Sequence, residues 1–142
     1  VSCVIGLDVG TKTIGVAHSD PLGIIASGTT TIRRQNRDKD FAALAAILEL
    51  YKPTCIVVGY PRNMNGTVGE QARFVDDFID ELSTMTTLPI HRVDERLSTR
   101  QAQRAMIESG LRARKRQAII DQQAAAVILQ GYLDRQSKSG KE

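Results

Sequence analysis

Tryptophan is absent from this 142-residue chain, and Phe, Tyr and Trp together make up 4% of it. Its core must therefore be built from Ile, Leu, Val and Ala, and any nucleic-acid surface cannot lean on aromatic stacking platforms. There are two cysteines, Cys3 and Cys55, each inside an apolar run with no CxxC spacing and no Cys/His cluster. That pattern argues against zinc and makes both small core residues. Histidine is equally scarce: His18 and His91 are lone residues, so no Ser-His or Cys-His catalytic pair is indicated. No apolar run approaches the roughly 20 residues of a membrane span, and the first residues do not resemble a signal peptide. A soluble, cytoplasmic protein with no membrane partner is expected.

A hydrophobic content of 42% is enough to fill one core at this length. One domain is expected over residues 1–136, followed by a polar, disordered tail at 137–142. The formal charge is only +3, but Arg and Lys crowd locally: Arg33, Arg34 and Arg37 form one cluster, and Arg112, Arg114, Lys115 and Arg116 another. Such runs are either solvated loops or a surface for a polyanion.

Residues 2–9 read as a buried strand, Gly10-Thr11-Lys12-Thr13 as a turn, and Ile14 to Ser19 as its antiparallel neighbour. A Thr-rich third strand covers Ile25 to Arg33. The period then changes: Phe41, Leu44, Leu48 and Tyr51 recur at helical spacing, with Asp38 as N-cap and Pro53 as the stop. Thr54 to Gly59 is a short apolar strand reached by a crossover, hence parallel to its partner. Thr67 and Glu70 form a capping box before a helix whose Val75, Phe78, Ile79 and Leu82 face the core. Leu88 to Val93 is the last strand. Ser98 and Gln101 open a helix ending near Gly110, and a final helix runs from about Arg116 to Arg135. The result is an α/β fold with a mixed five-stranded sheet flanked by helices.

Against this frame the acidic residues stand out. Asp8 interrupts the apolar run Val4-Ile5-Gly6-Leu7, where an uncompensated carboxylate costs on the order of several kcal/mol in desolvation. Asp94 and Glu95 follow the last strand, and alternation sends them to opposite faces. Asp121 shares its helix stripe with Ala124, Ala125 and Ile128. Each has a plain structural explanation alone, as turn cap, helix-terminal charge or dipole partner. Brought together, they would repel unless hard divalent cations held them ionised, and oxygen ligands without Cys or clustered His indicate Mg²⁺ or Mn²⁺.

Gly6-Leu7-Asp8-Val9-Gly10-Thr11-Lys12-Thr13-Ile14-Gly15-Val16-Ala17 resembles the opening of the YqgF family, bacterial pre-16S rRNA nucleases also described as Holliday-junction-resolvase-like. So do Val58-Gly59-Tyr60-Pro61 with Met64-Asn65-Gly66, then Asp94-Glu95-Arg96-Leu97-Ser98-Thr99, and Asp121-Gln122-Gln123-Ala124-Ala125. The resemblance spans nearly the whole chain. It implies a ribonuclease H-like fold and a metal-dependent nuclease processing the 5′ end of the 16S rRNA precursor. By position it assigns Asp8, Glu95 and Asp121 as catalytic metal ligands. In one departure, the fourth strand ends Gly59-Tyr60-Pro61 where related resolvases carry a carboxylate, and the acid is offered one strand later.

A two-metal arrangement would place Asp8 between both cations, with Glu95 and Asp121 holding one each. Lys12 lies in a turn whose backbone N–H groups can meet an anion, and Arg96 can clamp the scissile phosphate. Asn65, Arg114, Lys115 and Arg116 complete the expected substrate contacts. Partners would be rRNA precursor or branched DNA, with ribosomal particles as candidates alongside the former. Both monomer and homodimer stay open, a junction-cutting role favouring the dimer. Alternatives are a Holliday junction resolvase on branched DNA and a non-catalytic RNA-binding or transcription-associated module. Asp8-x-Gly10-Thr11 also resembles the phosphate loop of actin-like ATPases and sugar kinases, but those bind nucleotide between two related domains.

Overall fold

The computed structural model describes residues 3–61, 69–94 and 113–139, the last span with described side chains at 122–136. Strands β1 (Val4–Val9), β2 (Thr13–Ser19) and β3 (Ala26–Arg33) form the expected meander. There follow α1 (Arg37–Tyr51), β4 (Cys55–Tyr60), α2 (Glu70–Met85), β5 (Ile90–Asp94) and α3 (Ala113–Ser139). Strand order across the sheet is β3-β2-β1-β4-β5. The meander is antiparallel, whereas β4 pairs parallel to β1 and β5 parallel to β4. A hairpin cannot join parallel neighbours, so α1 leads into β4 and α2 into β5.

Both faces of the sheet are covered, which is why β1 and β4 read as near-continuous apolar runs. On one face Ile5, Leu7, Ile14, Val16, Ile56 and Val58 meet Leu44 of α1 and Val75, Phe78, Ile79 and Leu82 of α2. On the other, Val4, Ala17, Cys55, Val57 and Val93 meet Ala125, Ile128, Leu129 and Leu133 of α3. The expected inward stripes of α2 and α3 are thus the ones that pack.

Helix ends differ from expectation. Asn36, not Asp38, caps α1, its side-chain oxygen accepting the Lys39 N–H at 2.9 Å. Asp38 lies in the first turn, where its charge meets the helix dipole. Lys52 closes α1 in the left-handed region (φ 47°), donating its N–H to the Leu48 carbonyl at 2.8 Å, and Pro53 follows. Helix α2 starts at Glu70 with Gly69 as N-cap and no side-chain cap, so Glu70 stands at the first helical position and not at the third, where a capping box needs it. Helix α3 is longer at both ends than 116–135 and continues three residues into the segment expected as a tail. The expected helix from Ser98 to near Gly110, with its Ser98/Gln101 box, and Thr67 lie outside the described residues, as do residues 140–142.

Candidate active site

Strand alternation puts Val4, Gly6 and Asp8 on the face that α3 covers, and Ile5, Leu7 and Val9 on the other. Asp8 is half-buried. It pairs with Gly15 on β2, and because Leu7 pairs with Val58, Gly59 follows beside it on β4. The strand positions on both sides of this carboxylate therefore carry no side chain, which relieves the desolvation that a sealed strand would impose.

Helix α3 approaches β1 closely because of Gly6. A Cβ on that residue would lie 2.8 Å from the Leu129 Cβ and 3.3 Å from the Ala125 carbonyl. At the far end of the helix the Tyr132 hydroxyl meets the Cys55 Sγ at 3.8 Å, and Cys55 pairs with Val4. The helix thus runs antiparallel to β1, from Tyr132 near Val4 back through Leu129 and Ala125 at Gly6. Asp8 lies two strand residues beyond Gly6, about 6.6 Å. Position 121 lies one turn before Ala125, about 6 Å of helix rise, in the same direction. The side chain of Asp121 is outside the described residues.

Asp94 pairs with Tyr60 at the end of β5 and is exposed. Val93 belongs to the α3 side, whereas Arg92 turns to α2, donating from Nε to the Asp76 carboxylate at 3.0 Å. Asp76 also accepts the Tyr60 hydroxyl at 2.9 Å. By alternation Asp94 shares the Arg92 face, opposite Asp8. Glu95, Arg96 and Asn65 lie outside the described residues. Among the described residues no three His, Cys, Asp or Glu side chains gather as a metal site. Of the three expected ligands, Asp8 alone has a described side chain, and its hard oxygen donors fit Mg²⁺ or Mn²⁺.

Lys12 is exposed in the β1–β2 turn. The Gly10 N–H there donates to the Thr13 carbonyl at 2.9 Å, so one of the turn amides expected to meet an anion is already used. The first basic cluster divides. Arg34 is structural: it donates from Nε to Asp40 Oδ2 at 3.2 Å and from Nη1 to the Gly10 carbonyl at 2.9 Å, with its guanidinium over Phe74 and Phe78. Arg37 pairs with Glu81 at 3.3 Å, while Arg33 is exposed. Arg114, Lys115 and Arg116 fall in the first turns of α3, and their side chains are outside the described residues.

Sequence reasoning missed the Arg34–Asp40 pair that ties the turn beyond Asp8 to α1. Its signal was Asp40 four residues before buried Leu44, on the inward stripe. Both histidines stack on tyrosines: His18 on Tyr51, with a 2.6 Å hydrogen bond shared with Thr29, and exposed His91 on Tyr132. Cys55 is buried as expected, and burial pushes its thiol up, away from a nucleophile's range. Cys3 is only half-buried.

A family model described as "RuvX: Holliday junction resolvase" matches residues 2–135. The chain belongs to the RuvX family. RuvX is the YqgF family that the motifs resemble. A relative from Clostridium kluyveri, named "Putative pre-16S rRNA nuclease", is 53% identical over 135 residues, covering 95% of this chain and 98% of its own. One of the same name from Moorella thermoacetica is 53% identical over 137 residues, covering 96% and 98%. Among solved structures, T. thermophilus RuvC in complex with a Holliday junction substrate aligns with TM-score 0.54 at 12% identity, covering 96% of this chain and 97% of that one. The yeast mitochondrial resolvase Ydc2 aligns with TM-score 0.59 at 12% identity, covering 95% and 79%. At such identities the likeness is one of fold, and this RuvX chain has the expected ribonuclease H-like fold.

Proposed function

We propose that this chain is a divalent-metal-dependent nuclease that hydrolyses phosphodiester bonds at the 5′ end of the 16S rRNA precursor, with Asp8, Glu95 and Asp121 as its metal ligands. The observation that carries this is the close packing of α3 on Gly6, which brings the helix turn containing position 121 to the level of Asp8 on one face. Alternation along β5 favours Glu95 over Asp94 as the third acid, because Asp94 belongs to the opposite face. Family membership and the names of the relatives supply the substrate class.

Bound Mg²⁺ or Mn²⁺ would activate water and neutralise charge developing on the phosphate. The chain's own part is positional. Asp8 is anchored in the middle strand of the sheet, so its carboxylate is held by packing rather than by a loop. Lys12 at the adjacent turn and Arg96 after the acidic pair hold the scissile phosphate, and Arg114, Lys115 and Arg116 with Asn65 follow the flanking backbone. The protein works in the cytoplasm, on precursor RNA free or within ribosomal particles. Because the family description names Holliday junctions, branched DNA is the second substrate to examine.

The test is cleavage of 16S rRNA precursor and of a four-way DNA junction in Mn²⁺ and Mg²⁺, by the wild type and by Asp8→Asn. The wild type should shorten the RNA at its 5′ side. The variant should be slower by at least about 100-fold, the upper range for losing even an indirect metal partner. Equal cleavage by both proteins would refute the assignment of Asp8.

A further inference from the structure

A groove of about 500 Å³ runs along the edge of α3, between Ala26 and Gly28 of β3 and Gln122, Gln123, Ala126 and Gln130 of the helix. It begins one residue beyond position 121 and leads outward. Gly28 pairs with Ala17 and Ala17 with Gly6. The inner end thus lies two strands from β1 and two residues back from Asp8, roughly 12 Å away by strand spacing and rise. The groove depends on Gly28, where a Cβ would sit 3.1 Å from the Gln122 Cβ and 3.5 Å from its Oε1. The Gln122 amide consequently lies against the backbone of β3.

The three glutamines are not equivalent. Gln130 is committed to the fold: its Oε1 accepts the Ala26 N–H at 2.9 Å, and its Nε2 donates to the Ile24 carbonyl and to Asp134. Among the described residues, no hydrogen bond holds the side-chain amide of Gln122 or Gln123, and no charged side chain lines the groove. A phosphate would seek cations, and a base would seek an aromatic face. Neutral amides beside small residues instead suit a hydroxyl that both donates and accepts, as the ribose 2′-hydroxyl does. The volume lies within the range of small-ligand sites, about 300–1,000 Å³.

We infer that this groove seats a nucleotide neighbouring the one that is cut and recognises its ribose 2′-hydroxyl through Gln122 and Gln123, so that the chain selects RNA over DNA. This rests on the nuclease assignment and adds to it the subsite that distinguishes the two nucleic acids. The amides act through substrate affinity, apart from the acidic site itself.

Binding is measured by fluorescence anisotropy in metal-free buffer, with single-stranded RNA, DNA and 2′-O-methyl RNA of one sequence. The wild type should bind RNA tighter than DNA by roughly fivefold or more, the factor of one net hydrogen bond, with the 2′-O-methyl strand behaving as DNA does. Gln122→Met with Gln123→Met, which keeps side-chain length and helix propensity, should erase that margin and leave DNA affinity unchanged. If circular dichroism shows the double variant unfolded, Gln123→Met at the exposed position should at least halve the margin. Equal affinity of the wild type for RNA and DNA, or an undiminished margin in the folded variant, would overturn the inference. Asp8→Asn separates the two claims: its loss of cleavage tests the metal site, whereas its RNA margin should match the wild type.

Discussion

Tyr132 and Cys55 touch beneath the end of α3 remote from Asp8, and both are held protonated. Burial is the main cause at Tyr132, with its hydrogen bond to Cys55 second, and its phenol is pushed up to about 12 from an ordinary value of 10.0. The Cys55 thiol is raised above 9.0 chiefly by burial. In each group the native state keeps a proton that the unfolded chain has released. The stabilisation is therefore complete below the ordinary values and is lost as pH rises through the raised ones. The denaturant midpoint should fall as pH goes from 10 to 12, and Tyr132→Phe should flatten that fall. An unchanged slope in the variant would show that the phenol carries no part of it. Residues of this kind were only half legible beforehand. Cys55 reads as a core residue from its apolar neighbours, but its partner lies 77 positions away. Asp8 was conspicuous because a carboxylate in an apolar strand breaks the local pattern. Arg34 was not, because a run of arginines shows charge and hides which member has a buried partner.

Helix α3 is the element on which the site depends. Its inward stripe was readable from Ala124, Ala125 and Ile128. Its depth of approach was not, since that is set by a glycine 119 positions before Ala125 on another element. Gly6→Ala should lever the helix off β1, because the nearest atom is a Cβ fixed to the helix backbone and no rotamer can move it. The expected cost is about 1–3 kcal/mol of stability, the usual range for overpacking, together with a loss of cleavage out of proportion to the fraction unfolded. Thermal melts and activity measured well below the midpoint check both. A variant with wild-type stability and activity would mean that the helix does not set the site's geometry. Boundaries show the opposite limit of sequence reasoning: Asn36 and Asp38 are both good caps, and only the hydrogen bond to Lys39 distinguishes them.

Across the whole molecule, the proposed site and the larger part of the core fall on opposite faces of the sheet. The α1–α2 face carries the larger apolar cluster and the Arg34–Asp40 pair, and the α3 face carries Asp8 and the amide-lined groove. The succession of elements, the antiparallel meander and the parallel crossover followed from periodicity and connection rules, whereas the spatial order β3-β2-β1-β4-β5 came from the structure. That Asp94 turns away from Asp8 was not legible, because it depends on the register of β5 against β4, with Tyr60 opposite Asp94. Under the proposed function the basic segment at the start of α3 would also act at this scale, through a phosphate attraction that weakens as salt rises. The most direct measurement is anomalous diffraction from crystals grown with Mn²⁺. An ion bound roughly 2.1 Å from carboxylate oxygens of Asp8, Glu95 and Asp121 together is the predicted result. Manganese bound elsewhere, with those three carboxylates on separate surfaces, would contradict the account.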